Sequence, residues 1–103
     1  MLKKIFRLPK VKLKSEEKIV SQHLVIKVAK NNIKESRFGF VVSKKIDKKA
    51  TARNKIKREL RNIVQENLGR IKPGFDFLII VKKQNGKGYD ELEEELKKNN
   101  YYL

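Results

Sequence analysis

The chain has 103 residues, the size of one small domain. Its 27 lysines and arginines against 12 acids give +15, a charge that repels itself in the compact state and points outward, to nucleic acid before an anionic membrane surface or an acidic protein. It has no cysteine and a single histidine, which removes disulfide frameworks, thiolate metal sites and cysteine nucleophiles.

The first stretch, Met1 to Lys14, is a basic arm interrupted by Pro9, either mobile or docked through Phe6 and Leu8. It lacks the apolar run of a signal peptide, and no segment approaches the ~18 apolar residues of a membrane span, so a reducing cytoplasm is the simplest setting. Ser15 to Lys18 reads as the start of a helical turn. Ser21 to Ala29 is β-branched and apolar, hence a strand. Asn31, Asn32 and Ser36 carry turn chemistry, and Arg37 to Ser43 reads as a second strand, pairing with the first as an antiparallel hairpin. Gly39, between Phe38 and Phe40, suggests a bulge or a close backbone approach. A helix follows from about Ala52 to Leu68, with Thr51 as N-cap and Gly69 as the left-handed residue past its end. Phe75 to Val81 is the most apolar strand and belongs at the centre of the sheet. Strand, helix and buried strand in succession suggest a crossover and a parallel pair. Lys82 to Gly88 is a loop, and Tyr89 to Lys98 a short second helix with Asp90 and Glu93 as a capping pair and Leu92 and Leu96 inward. Tyr101 to Leu103 either pack or fray.

The segment from Ser43 to Arg61 concentrates the charge, with nine basic residues against Asp47 and Glu59. Ile56, Leu60, Ile63, Val64 and Leu68 recur at helical spacing. At about 100° per residue, Asn54, Arg58, Arg61 and Gln65 lie opposite that stripe. Lys57 borders the stripe, Lys55 lies on the far flank, and Arg53 sits in the first turn near the stripe's own azimuth. Guanidinium forks match phosphate oxygens in pairs and lysines add point charge. Asn54 can donate to and accept from a base edge or a 2′-hydroxyl. The competing reading is a merely solvated helix face. Catalytic groups are missing: His23 lies within a strand pattern, where a satisfied, half-buried ring is the plain interpretation. The acids of Asp90 to Glu95 suit a solvated helix start better than a general acid and base.

The run RFGFVVSKK followed by ATARNKIKRELR, then PGFDFLIIVKK, resembles the bacterial ribonuclease P protein subunit from roughly Ser21 to Lys98. The resemblance implies an α/β (α+β) fold. This is a small two-layer mixed sheet of about four strands with helices on it and a left-handed strand–helix–strand crossover, shared with a domain of a small-subunit ribosomal protein. It implies a single domain that assists removal of the 5′ leader from precursor tRNA. The catalytic subunit would be RNA, whose Mg²⁺ ions activate the water; no metal is expected on protein side chains. Carried over position by position, Lys44, Lys45, Arg53, Asn54, Lys55, Lys57, Arg58 and Arg61 would contact the catalytic RNA. The family also holds the single-stranded leader in a cleft beside its first helix, and stacking suits single strands. Here the paired phenylalanines of that helix are absent. Phe6, His23, Ile26, Phe38 and Phe40 are the candidates for the cleft wall, with plain core as the rival for the Phe38 and Phe40 face. Other classes that fit the charge are a small ribosomal protein and a stand-alone nuclease, the latter without the clustered acids or histidines it needs.

Overall fold

The computed structural model describes residues 16–103; the basic arm, Phe6 included, lies outside them. Four strands, β1 (Glu17–Val20), β2 (Leu24–Lys30), β3 (Arg37–Val41) and β4 (Phe75–Val81), form one mixed sheet in the order β1-β2-β4-β3. Two helices, α1 (Ala50–Asn67) and α2 (Glu91–Lys98), pack on one face of it.

The parallel pair is β3 with β4, and β4 is interior, as its composition suggests. The expected hairpin is not formed. β4 lies between β2 and β3, antiparallel to one (Ile26 opposite Ile79) and parallel to the other (Phe40 opposite Ile79). A hairpin would have left the most apolar strand at an edge with a row of unpaired amides. Of the stretch expected to open a helical turn, Ser15 lies outside the described residues, and Glu17 and Lys18 instead belong to β1, an edge strand with only Ile19 buried and Glu17 and Lys18 in water. Pairing runs unbroken through Gly39, opposite Leu78, so there is no bulge.

One sheet face presents Leu24, Ile26, Val28, Phe38, Phe77 and Ile79 to Ile56, Leu60 and Val64 of α1 and Leu92 and Leu96 of α2. Phe38 stacks on Phe77 with centroids 5.2 Å apart and planes 9° from parallel. Tyr101 meets Phe75 and Phe77 edge-on. Its carbonyl accepts from Lys72 N–H at 2.8 Å, while Leu103 N–H donates to Arg70 O at 2.7 Å, so the C-terminal tail is packed. The opposite face carries Val20, Val25, Val41, Leu78 and Ile80, and among the described residues no helix covers it.

The helix ends differ from expectation. The N-cap of α1 is Lys49, with no side-chain cap bond, and Thr51 lies inside the helix. The far end tightens into a 3₁₀ turn, Leu68–Arg70, that absorbs Gly69; the left-handed glycines are Gly74 (φ 89) and Gly88 (φ 96). Asp90 makes no capping bond, so the expected capping pair is not formed.

Candidate nucleic-acid interface

Because Ile56, Leu60, Val64 and Asn67 are buried and Ile63 packs against the core, the opposite side of α1 is turned to water. Asn54, Lys55, Arg58, Arg61 and Gln65 are exposed, and Arg53 and Lys57 are half-buried at the border of the stripe. The ion pairs among the described residues are His23 with Glu91, Arg37 with Asp76 and Lys97 with Glu93, none of which draws on α1. The first turn of α1 holds no acid. Free N–H groups and the positive end of the helix dipole therefore face outward among Lys44, Lys45, Lys48, Lys49 and Lys55. Cations at that end oppose the helix dipole, and an arriving anion relieves the conflict. Arg61 also holds its guanidinium 6.0 Å from the centroid of Phe40, placing an exposed cation above an aromatic face.

The loop before α1 is braced. Ile46 N–H donates to Ser43 O at 3.0 Å, closing a turn that leaves Lys44 and Lys45 exposed. One guanidinium nitrogen of Arg53 donates to Asp47 O at 2.9 Å and Lys48 O at 2.8 Å. Lys49 N–H donates to the Asp47 carboxylate at 3.0 Å, and the Gln84 amide reaches across from the loop after β4 to Ile46 O at 2.5 Å and Asp47 Oδ2 at 3.3 Å. Arg53 thus spends part of its donor set on its own chain. Asp47 and Gln84 were not among the candidates from sequence. An acid two residues before a helix N-cap is a readable turn signal. The Gln84 contact joins residues far apart in the chain and had none.

The candidates for a leader cleft are dispersed. Ile26 and Phe38 are 0% and 2% exposed between sheet and α1, so they are core and cannot line an open cleft. His23 is taken up at the β1–β2 turn, where its Nδ1 lies 2.6 Å from Glu91 of α2 and its N–H donates to the same carboxylate at 3.0 Å. The Ser21 hydroxyl donates to Glu91 as well. Phe40 is half-buried on the α1 side, beneath Arg61. Among the described residues, the face left uncovered is instead the one bearing Val20, Val25, Val41, Leu78 and Ile80, with Lys18 and Lys27 alongside. Among the described residues no three carboxylate, imidazole or thiolate donors are placed to hold a metal ion, and no helix is long and apolar enough to cross a membrane.

The family model for Ribonuclease P matches residues 2–101. The chain belongs to the ribonuclease P protein family. A ribonuclease P protein component from Synechocystis is 48% identical over 62 residues, which are 59% of this chain and 50% of that one. One from Thermotoga sp. is 36% identical over 80 residues, 78% of this chain and 68% of that one. The chain therefore spans about half the length of the Synechocystis relative. The solved structure of the Staphylococcus aureus RNase P protein superposes with a TM-score of 0.73 at 26% identity, covering 84% of each chain. The mixed four-stranded sheet with two helices described above thus belongs to a fold shared with that RNase P protein.

Proposed function

We propose that this chain is the protein subunit of a ribonuclease P ribonucleoprotein and takes part in the 5′ maturation of precursor tRNA in the cytoplasm. The observation that carries this reading is the outer side of α1, where Arg58 and Arg61 are exposed and take no part in any ion pair among the described residues. That side, with Asn54, Lys55, Lys57, Lys44 and Lys45, grips the catalytic RNA through phosphate oxygens and base edges. Hydrolysis of the phosphodiester, giving a 5′-phosphate, belongs to the RNA and the Mg²⁺ it holds. In this reading the protein contributes binding rather than a reacting group. The single-stranded leader of the precursor lies on the sheet face that the described residues leave uncovered, with bases against Val20, Val25, Val41, Leu78 and Ile80 and phosphates near Lys18 and Lys27. Support for this placement is the apolar and cationic lining of that face.

Reconstitution with ribonuclease P RNA, followed by precursor tRNA cleavage at low Mg²⁺, tests the proposal. A gain in cleavage over RNA alone is expected. No gain would leave a plain RNA-binding module, and 5′ cleavage by the protein alone would move the chemistry onto this chain.

A further inference from the structure

The Ser43–Lys49 loop carries four lysines and one acid. An acid among lysines that face an anionic partner should weaken binding by repulsion. The structure gives Asp47 another use. Its carboxylate accepts the Lys49 N–H at the mouth of α1 and the amide of Gln84, its carbonyl accepts Arg53, and Arg53 and Gln84 also take the carbonyls of Lys48 and Ile46. The loop backbone is therefore tied from its own helix on one side and from the loop after β4 on the other.

We propose that Asp47, Arg53 and Gln84 form a clamp that fixes the cationic loop in its binding shape, so that Asp47 strengthens RNA binding despite its charge. The inference rests on the RNA-binding role proposed for α1 and its loop. A mobile loop must be ordered when its lysines meet phosphates, and that ordering subtracts from affinity; a loop already tied does not bear this cost again. Asp47, Arg53 and Gln84 act as positioning residues, with Lys44, Lys45 and the helix cations making the contacts.

The test is equilibrium binding of the full chain to in-vitro-transcribed ribonuclease P RNA at several salt concentrations. Pure electrostatics predicts tighter binding for Asp47→Ala, whereas the clamp predicts about threefold to tenfold weaker binding. Asp47→Asn, which keeps an acceptor for Lys49 N–H and removes the charge, should bind at least as well as the natural chain to within about twofold. The slope of log affinity against log salt should be unchanged in Asp47→Ala and Gln84→Ala and should fall by about 0.7 to 0.9 in Lys44→Ala, because only the last removes a phosphate contact. Gln84 is exposed, so Gln84→Ala leaves the fold intact and decides the matter if Asp47→Ala unfolds; it should bind about twofold to fivefold more weakly. Tighter or unchanged binding in Asp47→Ala, or in Gln84→Ala, overturns the clamp. Arg58→Ala is the control: if it binds like the natural chain, the RNA face itself is wrong, whereas a weakened Arg58→Ala beside an unaffected Gln84→Ala removes the clamp alone.

Discussion

Arg58 and Leu60 stand two positions apart on α1 and face opposite ways: Arg58 is exposed and Leu60 is 0% exposed. Substitution separates their roles. Arg58→Ala should cost roughly 1–3 kcal/mol of RNA affinity, the worth of a charge-assisted contact, and leave the unfolding midpoint nearly where it was. Leu60→Ala should cost about 2–5 kcal/mol of stability by opening a cavity under the sheet. Filter binding and urea denaturation on both variants check this, and an exchange of the two phenotypes would invert the assigned helix phase. The sorting of α1 was legible because a 3.6-residue repeat is a local property, visible without knowing what the helix packs against. The fate of Phe38 was not legible. Phe38 and Phe40 share a strand face, yet one is core and the other sits at the rim beneath Arg61. Which of two equivalent positions is covered depends on where α1 lands.

At the scale of elements, the β1–β2 turn and α2 are joined through one carboxylate. Burial pushes the Glu91 carboxyl up, but hydrogen bonds from the Ser21 hydroxyl and from the His23 N–H and ring outweigh it and leave Glu91 below its ordinary value of 4.5. A depressed folded value means that the contribution is complete above 4.5 and is lost as the pH falls below it. Glu91→Ala should therefore destabilise by about 1–3 kcal/mol at neutral pH, through stranded donors, and by progressively less in acid. Urea midpoints of the two proteins should converge as the pH drops below 4.5. The C-terminal tail behaves in the opposite sense. Burial, reinforced by Glu17 and Glu93 respectively, pushes the Tyr101 and Tyr102 hydroxyls up to about 12. Here the unfolded chain loses its protons first, so stability should fall as the pH rises from 10 toward 12, and ultraviolet titration should show these tyrosines ionising late. Neither junction could be read from the chain, since each joins distant segments. The same limit explains the misassigned hairpin: Asn31 and Asn32 do turn the chain, but the partner of β2 arrives some fifty residues later. β1, with one buried residue in four, carries too little alternation to announce a strand.

The whole molecule carries +15 on 103 residues, and that excess acts with opposite sign on folding and on binding. In the free protein, like charges repel across a compact body, so added monovalent salt should screen the repulsion and raise the thermal midpoint. In the complex, every phosphate neutralised by a lysine or arginine has released counterions, so the same salt should drive dissociation. Lys44, Lys45, Lys55, Lys57, Arg58 and Arg61 are six cations at or beside the outward face, Arg53 being engaged with its own loop. At about 0.7 to 0.9 counterions per contact, six phosphate contacts predict an affinity loss of roughly 300- to 2,000-fold for a fourfold rise in salt. Thermal melts of the free protein and binding isotherms with the RNA, taken across one salt series, read both effects. Midpoints rising while affinity falls at a slope near five is the expected pair. A slope near one would mean that most of these cations never meet a phosphate, and that the charge on this surface serves something other than a folded polynucleotide.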